Sequence, residues 1–136
     1  MTGDEISKLL APLTPLQKAA LAILAAKEIY SEDGFLNWAN KWLEGTDRTL
    51  KSAMAVIQNL PNNTIVTMDD RPVGLTRPRL RPNVKAAVRY AAEAAGKVRT
   101  PGMKTEHLVR QALQSALAED DAIDLNALAE VALKVC

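Results

Sequence analysis

Apolar residues at helical spacing recur along most of this chain, and one proline-containing stretch divides them into two regions. A chain of 136 residues can bury a core without disulfides or metals. The pattern therefore predicts a single, mainly α domain, a bundle of six to seven helices with one small central β-hairpin at about 64–77. We expect a helical first half over 4–60, a hairpin with a basic extended segment over 61–82, and a helical second half over 83–135.

Capping signals locate the first two helices. A short helix is expected at about 4–11. The sequence of residues 14–17, Thr-Pro-Leu-Gln, supplies an N-cap, a proline at the first helical position and a capping-box glutamine. A second helix should therefore begin there and end near Tyr30.

An aromatic stripe marks the third helix, which Gly45 should end. Its apolar face combines the residues Phe35, Trp38, Ala39, Trp42 and Leu43. Aromatic residues at this spacing form a core or interface more often than a ligand site. A fourth helix over 47–60 should bury Leu50, Ala53, Met54 and Ile57.

The periodicity changes after Pro61. Residues 64–68 and 73–76 are short β-prone runs around a turn at 69–72, and they predict the hairpin. Later prolines keep the following stretch extended, because the residue before a proline avoids the helical region. Helical spacing then returns, and it predicts three more helices, at about 82–95, 104–118 and 124–135.

Basic residues are concentrated in the middle of the chain. Residues 71–104 carry nine Lys or Arg against one acid, Glu93, whereas the remaining chain has eight bases and fifteen acids. Clustered charge attracts oppositely charged partners, although it does not identify them. Alternatively, these bases form ion pairs within the domain or between subunits.

The order of three helices, a short turn and a hairpin also fits a winged helix-turn-helix protein that binds DNA. In that reading the helix at 47–60 enters the major groove and a basic wing at 71–81 contacts phosphates. The acids Asp69 and Asp70 at the hairpin tip weaken this reading. The candidate residues for binding a nucleic acid or an acidic partner are Arg48, Lys51, Arg71, Arg77, Arg79, Arg81, Lys85 and Arg89.

Two resemblances point away from an enzyme. Residues 84–95 (VKAAVRYAAEAA) and 105–113 (TEHLVRQAL) resemble one half-repeat of the Clp chaperone N-terminal domain, in which an alanine-rich helix precedes a helix opening with Thr-Glu-His-Leu. That resemblance implies an all-α module that binds substrates and adaptor proteins and has no catalytic activity. Residues 35–48 (FLNWANKWLEGTDR) are similar to a pattern in alanine-rich bacterial proteins, some of them labelled immunity proteins.

The residue inventory argues against an enzyme. His107 is the only histidine and Cys136 the only cysteine, so neither a His-rich nor a multi-Cys metal site is available. The acids between 119 and 124 lack the spaced ligands and central glycine of a calcium loop. The six glycines are scattered and form no phosphate-binding loop. We therefore expect no catalytic residue, no metal and no cofactor.

The lone cysteine fits a reducing compartment, and no run approaches the roughly 20 apolar residues of a membrane span. The acidic N-terminus does not resemble a signal peptide. These features predict a bacterial cytoplasmic protein that acts as a non-enzymatic interaction or adaptor module. A protein partner is favoured, nucleic acid is the alternative through 71–104, and a homodimer is also compatible with the small, alanine-lined helices.

Overall fold

The computed structural model describes residues 3–60, 82–97 and 104–135. The mainly α prediction is confirmed, because all the regular secondary structure in these three ranges is helical. The hairpin expected at 64–77 lies outside the described residues and stays a prediction. The helices are α1 (Gly3–Leu10), α2 (Pro15–Ile29), α3 (Asp33–Glu44), α4 (Leu50–Gln58), α5 (Pro82–Gly96), α6 (Lys104–Glu119) and α7 (Leu125–Ala132).

Helix α2 lies at the centre of the bundle. It packs against α3, α5, α6 and α7, and α5 and α6 also pack against each other. A helix that is apolar around most of its circumference belongs in the interior of a bundle. The buried residues of α2 are Ala19, Ala20, Leu21, Ala22, Ile23, Ala25 and Ala26.

Alanine builds much of the core. Of the 31 buried apolar residues among those described, 16 are alanine. Small side chains allow neighbouring helix axes to approach closely, so the interior is filled largely by backbone and methyl groups. Larger side chains, among them Leu21, Val88 and Leu113, are completely buried between these helices.

The predicted N-cap of α2 is confirmed. The Thr14 hydroxyl accepts a hydrogen bond from the Gln17 backbone N–H at 3.2 Å, and the Gln17 side-chain oxygen accepts one from the Thr14 N–H at 3.1 Å. At the other end of the chain, the Asp124 carboxylate accepts from the Ala127 N–H at 3.2 Å and caps α7. These local bonds satisfy backbone donors that a helix start leaves unpaired.

Helix α4 differs from its prediction in start and in buried face. It begins at Leu50, three residues later than the predicted Asp47, because Thr49 is the N-cap and accepts from the Ser52 N–H. Leu50 and Met54 were expected in the core but are 53% and 40% exposed. The helix packs against α3 and α5. Of the four residues expected in the core, Ala53 is buried and Ile57 is half-buried.

Gly96, at the end of α5, allows α4 to approach that helix closely. A Cβ at that position would lie 2.7 Å from a Leu50 methyl group and 3.3 Å from the Ala53 Cβ. The missing side chain lets the two helices approach and leaves room for both Leu50 and Ala53 against the end of α5. None of the described helices is both long and apolar enough to cross a membrane.

Candidate functional site

Helix α3 is held at its start by an acidic cap and at its centre by aromatic packing. The Glu32 carboxylate accepts hydrogen bonds from the N–H groups of Gly34 at 2.9 Å and Phe35 at 3.0 Å. The Phe35 ring lies 5.5 Å from that of Tyr30 and 6.0 Å from that of Trp38, measured between ring centroids. The prediction of an aromatic core face is confirmed, because Phe35, Trp38, Ala39 and Trp42 are buried.

Gly45 ends α3 in the left-handed conformation, with φ of +83°, as the sequence predicted. Its backbone N–H donates to the Trp42 carbonyl oxygen at 3.1 Å. A residue with a Cβ is strained at this φ, which explains glycine at the position.

Arg48 completes the same helix end. Its Nε donates to the Trp42 carbonyl oxygen at 2.8 Å and an Nη donates to the Leu43 carbonyl oxygen at 3.3 Å. Its guanidinium carbon lies 5.0 Å from the Trp42 ring centroid, within the range of a cation–π contact. The predicted binding residue therefore stabilises the C-terminus of α3, where carbonyl groups lack helical partners.

Asp47 organises the start of α4. Its carboxylate accepts from the Ser52 hydroxyl at 2.6 Å, and from the Thr49 hydroxyl at 2.9 Å and backbone N–H at 3.2 Å. The hydrogen bond from Ser52, followed by those from Thr49 and the charge of Lys41, holds the pKa of Asp47 below its usual value. The turn between α3 and α4 is therefore fixed by side chains at both of its ends.

Two adjoining depressions lie between α3 and α4, and we call them together the α3–α4 crevice. The first has a volume of about 360 Å³ and is mainly apolar, lined by Tyr30, Glu32, Gly34, Phe35, Val56, Asn59 and Leu60. The second has a volume of about 240 Å³ and is more polar, lined by Gly34, Asn37, Trp38, Lys41, Asp47, Ser52, Ala55, Val56 and Asn59. Both are lined by Gly34, Val56 and Asn59.

The indole N–H groups of Trp38 and Trp42 are buried and have no hydrogen-bond acceptor among the described residues. Most buried polar groups in proteins are paired, and leaving one unpaired costs roughly 1–3 kcal/mol. Trp42 is completely buried, whereas Trp38 is 6% exposed and lines the polar half of the crevice. An unpaired donor therefore belongs to a side chain in the crevice wall.

The other side of α4 carries an exposed apolar pair, Leu50 and Met54, which we call the α4 edge. Residues four apart lie on the same side of a helix, so these two side chains are neighbours. Lys51, the only charged residue of α4, is exposed next to them.

The other predicted binding residues are only partly described. On α5, Lys85 is half-buried and Arg89 is exposed, and Arg89 pairs with Glu93 at 3.1 Å. Arg48 and Lys51 lie three residues apart around the start of α4. The remaining four predicted residues, Arg71, Arg77, Arg79 and Arg81, lie outside the described residues.

The single histidine and its acidic neighbour lie in the first turn of α6. His107 is exposed in the first turn of α6, and its neighbour Glu106 pairs with Lys18 on α2 at 2.7 Å. The hydrogen bond from Lys18 lowers the pKa of Glu106. Across the three described ranges, no three His, Cys, Asp or Glu side chains form a group that could hold a metal ion.

Sequence reasoning did not find the α4 edge or the crevice. The α4 edge had no sequence signal, because helical spacing alone does not tell which of Leu50, Ala53 and Met54 faces the bundle. The crevice had no sequence signal, since it depends on the distance between two packed helices. Comparisons with protein-family models, curated proteins and solved structures find no match to this chain.

Proposed function

We propose that the protein is a non-enzymatic interaction module, with a bacterial cytoplasmic setting, that binds a partner protein through the α4 edge. The observation that carries the proposal is the exposure of Leu50 and Met54, at 53% and 40%, side by side on one helix. Burying a large aliphatic side chain completely is worth about 1.5–3 kcal/mol, so covering this pair would contribute substantially to binding.

The composition of the exposed part of α4 supports a protein partner. A recognition helix in a DNA groove presents hydrogen-bonding side chains to base edges and phosphates. Here Lys51 and Gln58 are the polar residues that lie beside Leu50 and Met54, and Arg48 is bound to the end of α3. An apolar pair with a polar border is more typical of a protein interface.

A site-specific photocrosslinker at position 51 tests the proposal in living cells. We expect one defined adduct, which should disappear in the double variant Leu50→Gln/Met54→Gln. Leu133→Gln is the matched control, because Leu133 is 50% exposed on another surface, and it should leave the adduct unchanged. The proposal is wrong if no defined adduct forms, or if the double variant, still folded by circular dichroism, retains it.

Nucleic-acid binding is the second proposal, supported by exposed Lys51 and by the basic residues 71–104 that follow α4 in the chain. The test is fluorescence anisotropy of a labelled random duplex at low and physiological salt. Binding should weaken steeply with salt, and the Arg77→Gln/Arg79→Gln/Arg81→Gln variant should lower the slope by about 0.9 for each phosphate contact removed. Absence of binding at low salt would eliminate this proposal.

A further inference from the structure

We infer that the α3–α4 crevice binds an extended, non-acidic peptide segment of a partner protein. A large apolar side chain of the peptide would enter the apolar half, and its main chain would cross the polar half. This inference goes beyond the proposed function, because it concerns another surface of α4 and a specific class of ligand.

The crevice lies on the opposite side of α4 from the α4 edge. Successive residues of a helix are rotated by about 100°, so Ser52, Ala55 and Asn59 point away from Leu50 and Met54. Ser52, Ala55 and Asn59 line the crevice, whereas Leu50 and Met54 do not. A ligand in the crevice and a partner on the α4 edge would therefore use different side chains.

The apolar half has the size and lining of a side-chain pocket. Its volume of about 360 Å³ lies within the usual range of ligand sites. Phe35, Val56 and Leu60 provide apolar surface, and Tyr30 adds an aromatic wall. Such a pocket would take a leucine-sized or aromatic side chain and would bind it by the hydrophobic effect.

The polar half offers hydrogen bonds that suit a peptide main chain. Asn37 on α3 and Asn59 after α4 are exposed on the two walls, and neither side chain hydrogen-bonds to another described residue. A carboxamide both donates and accepts, as does a peptide group, so the side chains of Asn37 and Asn59 can both hydrogen-bond to a peptide main chain.

The charges of the crevice disfavour an acidic ligand. The carboxylates of Glu32 and Asp47 line its two halves, and the single cation among the lining residues is Lys41. The hydrogen bond from Ser52, then those from Thr49 and last the charge of Lys41, lower the pKa of Asp47. A phosphate or another strong anion would face two carboxylates, so nucleic acid is a poor occupant of this surface.

Peptide selection on the full-length protein, followed by nuclear magnetic resonance, tests the inference. Random twelve-residue peptides displayed on phage would be selected on wild type, and enriched sequences would be synthesised and titrated into ¹⁵N-labelled protein. Two tryptophans give two indole signals, which a Trp38→Phe variant assigns. We expect the Trp38 indole proton to shift on binding by more than that of Trp42, since only Trp38 lines the crevice.

Two variants locate the binding surface. Ala55→Arg places a long side chain over the polar half from an exposed position and should weaken peptide binding by at least about tenfold. Ala118→Arg makes the same change at an exposed position of α6 and should leave affinity unchanged. Circular dichroism would verify that both variants are folded.

Three results would overturn the inference. The first is the absence of any enriched peptide, and the second is equal affinity for wild type and Ala55→Arg. The third is loss of binding in Leu50→Gln/Met54→Gln with full binding by Ala55→Arg, which would move the peptide to the α4 edge and support the proposed function instead. Conversely, the inference stands if the crosslinked adduct of the proposed function is absent but peptides bind the crevice.

Discussion

Replacing Arg48 by methionine should destabilise the protein, because this side chain holds the end of α3. Methionine keeps an unbranched apolar stem against Trp42 but removes the charge and every donor. The Trp42 and Leu43 carbonyl groups would lose hydrogen bonds of 2.8 and 3.3 Å. The contact of the cation with the Trp42 ring, at 5.0 Å, would be lost as well.

The expected loss is about 2 kcal/mol. Each net hydrogen bond contributes about 0.5–1.5 kcal/mol, and the longer bond to Leu43 should lie at the lower end of that range. A partly exposed cation–π contact adds about 0.5–1 kcal/mol. Since Arg48 is only half-buried, water can reach part of the site and limits the total.

Urea unfolding followed by circular dichroism at 222 nm and by tryptophan fluorescence would measure the loss. Lys51→Met is the matched control, because Lys51 is exposed and its replacement should change the free energy of unfolding by less than about 0.5 kcal/mol. Equal stability of Arg48→Met and wild type would refute the capping role. In that case the guanidinium of Arg48 would again be a candidate for binding a partner.

Three further predictions concern stability. Gly45→Ala should cost about 1 kcal/mol because φ is +83° there, and an unchanged melting temperature would contradict this. Ala22→Leu in the middle of α2 should cost about 1–3 kcal/mol or more by overpacking, as measured by urea unfolding; a variant as stable as wild type would show that the core has room.

Glu106→Gln should lower stability at pH 7 by less than about 1 kcal/mol, because Glu106 pairs with Lys18 but is 45% exposed. The pairing lowers the folded-state pKa, so its contribution is present above the unfolded pKa and is lost as pH falls through the folded one. Wild type and variant should therefore converge in acid, and a difference that persists near pH 2 would refute the pairing.

Local signals predicted most of the helices. The capping box at Thr14 and Gln17 and the glycine stop at Gly45 act within a few residues, so their geometry can be inferred from the sequence. The start of α4 was harder to predict, because Asp47 and Thr49 are both good N-cap residues. In the structure the Asp47 carboxylate accepts hydrogen bonds from Thr49 and Ser52, and this arrangement supports Thr49 as the N-cap.

The candidate surfaces depend on tertiary packing and could not be predicted in the same way. Helical spacing places Leu50, Ala53 and Met54 near one another, but the packing of α4 against α3 and α5 decides that Ala53 is the buried one. Likewise, the charge of Arg48 predicts attraction to an anion, whereas its actual partners include uncharged carbonyl groups of the preceding helix. The binding role of the basic residues at 71–81 stays a prediction.

The alanine-rich interior has a consequence for the thermodynamics of this fold. Among the described residues, 16 of the 31 buried apolar side chains are the single methyl group of alanine, and they lose no rotamer freedom on folding. Such a core removes less apolar area from water per residue than one built from leucine and isoleucine. Because apolar exposure dominates the heat-capacity change of unfolding, this protein should have a smaller heat-capacity change and a flatter dependence of stability on temperature than a leucine-rich bundle of equal length.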